Sequence, residues 1–147
     1  MSRPDWNSYF LNIAKVVSER STCKRASVGA IIVNDRRIIA TGYNGAPSGE
    51  TECIEAGCII ENGHCVRTIH AEQNAILQAA KYGVRIDFTN MYVYLNRLAA
   101  KSNVYVAGNF SLSEFPCKWC GLLLRGSGIM VVNLLDDGGV MARFYKE

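Results

Sequence analysis

Apolar residues recur at Tyr9, Phe10, Ile13, Ala14, Val16 and Val17, close to a period of 3.6, and this spacing predicts an amphipathic helix over Trp6–Arg20 with Pro4 and Asp5 at its start. The period then shortens. Val28–Val33 is a near-continuous apolar run ending at Asn34-Asp35, and Arg37–Gly42 resumes it, so two strands joined by a short polar turn are expected to form a hairpin. Gly42–Cys65 reads as a long loop dense in Gly, Asn, Pro and Cys, and a loop that long in a compact domain is usually functional or tied down. Thr68–Lys81, with Ala71, Ala75, Ile76, Ala79 and Ala80, reads as a helix stopped by Gly83. A short strand at Met91–Leu95, a proline-opened helix at Pro116–Arg125 and a buried strand at Ile129–Leu135 follow, and a short tail closes the chain. Asn96–Phe115 has no clear period, with Val104–Val106 either a strand or part of an insertion.

The resulting order, α-β-β-α-β-α-β, predicts a three-layer α/β/α domain around a central mixed sheet, and 147 residues suit one such domain over 1–147. A net charge of +3 carried by short pairs (Lys24-Arg25, Arg36-Arg37) rather than a stripe gives no footprint for nucleic acid. A small anionic substrate needs only two or three cations. No stretch nears the ~20 apolar residues of a membrane span, and no apolar run stands behind a basic patch in Met1–Phe10. A cytoplasmic protein without membrane contact is the expectation.

Six cysteines with only two histidines change the picture, because clustered Cys beside His in a reducing compartment reads first as metal. His70-Ala71-Glu72 opens one expected helix and Pro116-Cys117-Lys118-Trp119-Cys120 opens another. In this order they match H-x-E…P-C-x-x-C, the signature of zinc nucleobase deaminases. Cys117 and Cys120 are three apart and share a helical face, at the positive end of the helix, where thiolates are favoured. His70 and Glu72 are two apart, roughly 200° around an ideal helix, so both meet one ion only if the helix points its N-terminus at the metal. Three protein ligands, His70, Cys117 and Cys120, leave a fourth position for water, as catalytic zinc requires. Glu72 is then the proton carrier rather than a ligand. Cys23, Cys53, Cys58, His64 and Cys65 remain; four of them would close a structural zinc site, and Cys23, Cys53, His64 and either Cys65 or Cys58 are the favoured set.

The chain resembles the deoxycytidylate (dCMP) deaminase family of the cytidine-deaminase fold in four segments: Val28–Val33, Thr41–Gly49 (Thr-Gly-Tyr-Asn-Gly-Ala-Pro-Ser-Gly), His70–Ile76, and Pro116–Cys120 with Gly128-Ile129 beyond. The resemblance implies zinc-dependent conversion of dCMP to dUMP and ammonia, feeding thymidylate synthesis. It implies a homo-oligomer, typically a hexamer, activated by dCTP and inhibited by dTTP, with Mg2+ accompanying a triphosphate effector. Some relatives carry a second zinc at cysteines matching Cys23 and Cys53. It also makes Asn44 a sugar or base contact and Arg20, Ser21, Lys24 and Arg25 phosphate candidates, with Ala71 and Pro116 lining the substrate. Tyr43, Gly45, Gln78 and Lys81 fall near family effector sites. Two departures stand out: about twenty residues, Asn96–Phe115, precede the Pro-Cys pair where relatives have a few, and the C-terminal elements look abbreviated. Rival readings are a deaminase of dCTP or cytidine and a non-catalytic zinc-binding interaction module; Cys117–Cys120 as a redox pair is disfavoured by His70-Ala71-Glu72 upstream.

Overall fold

The computed structural model describes residues 2–23, 25–61, 64–96, 109–111, 118–139 and 141–145. Helix α1 (Trp6–Ser18) starts where the Asp5 carboxylate accepts from the Ser8 N–H at 2.8 Å. Strands β1 (Ser27–Asn34) and β2 (Arg37–Tyr43) form the expected hairpin, paired from Gly29↔Tyr43 to Asn34↔Arg37. Its two-residue turn places Asp35 and Arg36 at φ 50° and 61°, the left-handed pair that matches the twist of the flanking strands.

The loop after β2 holds α2 (Cys53–Ala56) and a two-residue ladder between β3 (Ile60–Glu61) and β4 (His64–Cys65). Then come α3 (Ala71–Lys81), β5 (Asn90–Asn96), β6 (Asn109–Ser111), α4 (Lys118–Ser127), β7 (Val131–Asp136) and β8 (Met141–Tyr145). The main sheet has six strands in the order β2-β1-β5-β7-β8-β6. It is mixed: β1 runs antiparallel to β5, β5 parallel to β7, β7 antiparallel to β8, and β8 parallel to β6. Val104–Val106 lies outside the described residues. The short tail is in fact strand β8, with Ala142 and Phe144 buried between exposed neighbours.

Side chains alternate along β1, so its two faces feed two cores. Ile31 and Val33 join Phe10 and Leu11 of α1, whereas Ala30 and Ile32 join Ala71, Ala75 and Ala79 of α3 and Leu124 of α4. The three-layer α/β/α arrangement follows. Two glycines set its spacing. A Cβ on Gly29 would stand 2.1 Å from the Ala14 carbonyl oxygen of α1; one on Gly42 would stand 2.4 Å from both Ala71 O and Ala75 N of α3. Each helix therefore lies directly on backbone. Among the described residues no helix is long and apolar enough to cross a membrane.

Candidate metal centres

Helix α3 begins at Ala71, three residues later than the periodicity suggested, and the delay determines where His70 points. Gly45 and Ile69 exchange backbone hydrogen bonds of 3.2 and 2.8 Å, which keeps the chain extended up to His70. His70 is the N-cap, at φ −68° and ψ 153°, and its N–H donates to the Gln73 side-chain oxygen at 3.1 Å. The 200° separation therefore does not apply. His70 reaches out from the cap while Glu72 projects from the first turn.

Cys120 sits in the first turn of α4, fully buried. Its Sγ is 3.2 Å from His70 Nδ1, and the ligand atoms of His70, Glu72 and Cys120 all lie within 4.8 Å of one another. An imidazole nitrogen and a thiolate sharing a tetrahedral zinc would be about 3.5 Å apart, from bond lengths of ~2.05 and ~2.3 Å, so this pair fits the ion. Glu72 is 5% exposed, shielded from bulk water. The N-terminal ends of α3 and α4 converge here, and their partial positive charge favours thiolate and carboxylate. Cys117 and Pro116 lie outside the described residues.

A second cluster forms in the long loop. The β3–β4 ladder, Ile60↔Cys65 and Glu61↔His64, folds the loop back so that Cys53, Cys58 and Cys65 bring their sulfurs within 4.8 Å of one another. Cys53 Sγ and Cys65 Sγ are 3.6 Å apart, near the ~3.8 Å of two sulfurs on one tetrahedral zinc. Burial pushes the Cys53 thiol up to about 12, with its two neighbouring thiols adding to the effect. Burial acts upward on Cys65 too, yet hydrogen bonds with the Arg67 and Ile59 backbone and with Cys53 and Thr68 bring it down to about 7. One sulfur thus has thiolate character near neutral pH, as a zinc ligand needs. Against the favoured set of Cys23, Cys53, His64 and Cys65, the structure groups Cys58 with Cys53 and Cys65 and leaves Cys23 outside that trio, its Sγ accepting from the Arg25 N–H at 3.4 Å. The His64 side chain lies outside the described part.

Of the expected substrate residues, Asn44 is brought towards the first centre by its neighbour Gly45, which pairs with Ile69, the residue before His70. The Asn44 side chain braces the start of β1: Nδ2 donates to Ala26 O and Oδ1 accepts from Val28 N–H, both at 2.9 Å. Ser21 Oγ donates to Ala26 O at 3.3 Å, closing the turn that carries Arg25. Lys24 lies outside the described residues, and Arg20 is exposed at the end of α1. Ala71 is fully buried against Gly42. Gln78 accepts from Thr41 N–H at 2.7 Å and Asn74 donates to Tyr43 O at 2.7 Å, so two amides one turn apart on α3 occupy the outer edge of β2. Lys81 Nζ stands 5.8 Å from the centroid of the Tyr82 ring. Sequence reasoning offers Cys58 only as an alternative to Cys65, whereas the structure brings both to Cys53, and it does not single out Glu52 or Arg67 in the loop around them.

The family model for the cytidine and deoxycytidylate deaminase zinc-binding region matches residues 4–135. Deoxycytidylate deaminase of Mycobacterium phage D29 is 38% identical over 141 residues, covering 88% of this chain and 93% of the phage protein. ComE operon protein 2 of Bacillus subtilis is 40% identical over 137 residues, covering 93% of this chain, which spans only 62% of that protein's length. The chain spans 38% of Saccharomyces cerevisiae deoxycytidylate deaminase, at 41% identity. Among solved structures, dCMP deaminase from cyanophage S-TIM5, in complex with dCMP and dUMP, superposes with a TM-score of 0.68 at 29% identity, over 92% of this chain and 85% of that one.

Proposed function

The chain belongs to the cytidine and deoxycytidylate deaminase zinc-binding family, and from that premise we propose that it hydrolyses dCMP to dUMP and ammonia. The observation that carries this reading is the convergence of His70, Glu72 and Cys120 at two helix N-termini. Phage, yeast and mammalian relatives named deoxycytidylate deaminase support the substrate.

His70 Nδ1 and the thiolates of Cys120 and Cys117 would hold the zinc. When bound, it supplies a Lewis acid that brings the pKa of water from ~15.7 toward ~7. The Glu72 carboxylate takes one proton from the water attacking C4 of the cytosine ring and delivers it to ring nitrogen N3, then takes the second from the new C4 hydroxyl and passes it to the departing amine. Atoms balance: water enters, ammonia leaves, and C4 passes through a tetrahedral state to the carbonyl of uracil. Asn44, Ala71 and Pro116 are assigned to the sugar and base, and Ser21, Lys24 and Arg25 to the phosphate, on the strength of the motif resemblance.

Cys53, Cys58 and Cys65 form the core of a second, structural zinc site in this reading, with His64 or Cys23 as the fourth ligand; the sulfur spacing and donor chemistry support it. A cytoplasmic homo-oligomer, hexameric by resemblance, with dCTP and dTTP (with Mg2+) acting near Tyr43, Gly45, Gln78 and Lys81, completes the proposal. The test is ammonia release from dCMP, dCTP and cytidine. The expected kcat/KM for dCMP exceeds the others by about tenfold or more, equivalent to ~1.4 kcal/mol of discrimination. A preference for dCTP or cytidine would reassign the substrate, and a zinc-loaded protein inert on all three would point to the interaction module.

A further inference from the structure

Glu52 stands at the N-cap of α2, yet its side chain makes no hydrogen bond to that helix. A capping side chain ordinarily satisfies its own helix's first N–H groups. Here the carboxylate turns away. Its Oε2 accepts from the Thr22 hydroxyl and, at 3.1 Å, from the Ala46 N–H. One oxygen therefore joins two segments through donors 24 residues apart in sequence, Thr22 and Ala46: the turn after α1, which holds Ser21 and Arg25, and the loop after β2, which holds Asn44 and Gly45.

The surroundings fit a clamp. Thr22 N–H donates to Asn44 O at 3.3 Å, and a Cβ on Gly45 would come within 3.0 Å of Thr22 Oγ1, so Thr22 lies across a glycine and leaves no slack. The helix that carries Glu52 is itself bracketed, since Arg67 donates to Gly57 O at 3.0 Å and to Thr51 O at 3.5 Å. Arg67 lies on the short stretch from Cys65 to His70, and Cys53 is the next residue after Glu52.

We infer that Glu52 is a positioning residue for the nucleotide's phosphate end: it fixes the Ser21–Arg25 turn against the Asn44–Ala46 loop without touching the reacting ring. The inference rests on the dCMP reading above. The carboxylate's two donors are polar groups on separate segments, and neither belongs to the His70, Glu72 and Cys120 group.

The experiment compares wild type, Glu52→Ala, Glu52→Gln and Thr22→Val on dCMP and on deoxycytidine, which lacks the phosphate. Glu52→Ala is expected to raise KM for dCMP about tenfold, the size of one charge-assisted hydrogen bond lost, with kcat within about twofold. For deoxycytidine kcat/KM should change less than about twofold, because no phosphate is there to misplace. Glu52→Gln, whose amide oxygen can accept from both donors, should recover most of the loss. Thr22→Val should reproduce it, and should decide the matter if Glu52→Ala fails to fold; the double variant should be no worse than the worse single one. Equal losses on both substrates, or an unchanged KM for dCMP in Glu52→Ala, would overturn the inference. A wild-type protein inert on dCMP would instead sink the substrate reading on which it stands.

Discussion

His70 Nδ1 and Cys120 Sγ meet at 3.2 Å across 50 residues of sequence, one at the cap of α3 and the other in the first turn of α4. Both helices lie on the same face of the sheet and present their N-terminal ends to the same point. Neither helix could offer that arrangement alone, because residues two apart on one helix face different ways and only the cap position escapes the constraint.

Replacing Glu72 by Gln keeps the side-chain volume and removes the proton carrier. Zinc content should be unchanged, while kcat for deamination falls by about 10²–10⁴-fold. Metal analysis and steady-state kinetics on the same preparation check it. Near-normal turnover would remove Glu72 from the mechanism.

Cys58→Ser separates the two readings of the second cluster. The trio of Cys53, Cys58 and Cys65 predicts loss of one metal equivalent per chain in this variant, with the catalytic equivalent kept. Cys23→Ser tests the fourth position in the same assay. If metal content is insensitive to Cys58 but drops with Cys23, the ligand set read from the sequence was the better one.

Much of the fold was written plainly in the chain, and the failures have identifiable causes. The hairpin was visible because Val28–Val33 is continuously apolar and Asn34-Asp35 interrupts it. Helix α3 was placed correctly but started too early, since only the Gly45–Ile69 pairing, a tertiary contact, holds the chain extended up to His70. Strand β8 was read as a tail because five residues beyond a glycine pair carry too little pattern for assignment. For the first metal centre, H-x-E and C-x-x-C spacing points to His70, Glu72 and Cys120, which the structure brings together, while Cys117 lies outside the described residues. For the second, the sequence leaves Cys58 and Cys65 as alternatives, because a two-residue ladder that its pattern does not reveal decides which cysteines meet.

Tyr92 ties the pH response to the core. Its hydroxyl donates to Asn7 Oδ1 at 2.9 Å, and burial holds its phenol above the ordinary tyrosine value, with Arg143 acting downward and Asp5 upward. The folded chain thus holds this proton more tightly than the unfolded one. That contribution is complete below the unfolded phenol value near 10 and is lost as pH rises through the folded value. The melting temperature should therefore fall above about pH 10, and fall less steeply in Tyr92→Phe, with Tyr94, also raised by burial, accounting for part of the remainder. At neutral pH the same variant should cost about 0.5–1.5 kcal/mol, the lost hydrogen bond to Asn7. Parallel alkaline curves for the two proteins would count against it.

Gly42→Ala asks whether α3 can retreat from the sheet. A methyl group 2.4 Å from Ala71 O and Ala75 N must displace helix backbone, an overpacking cost of about 1–3 kcal/mol. Since His70 and Glu72 sit at that end of α3, kcat should drop along with stability. Urea denaturation and kinetics would both have to be indifferent for the close approach to be unimportant.

Asn74 and Gln78 give helix α3 one more duty. β2 is the outermost strand on its side of the sheet, and such a strand offers its unpaired backbone groups as a template for another chain. By occupying Tyr43 O and Thr41 N–H, these two amides cover two groups of that template. The helix that carries Glu72 therefore also covers part of this edge of the sheet. A change that loosens α3 would therefore uncover those edge groups as well as move Glu72, so substitutions in this helix are expected to be limited by solubility as well as by chemistry.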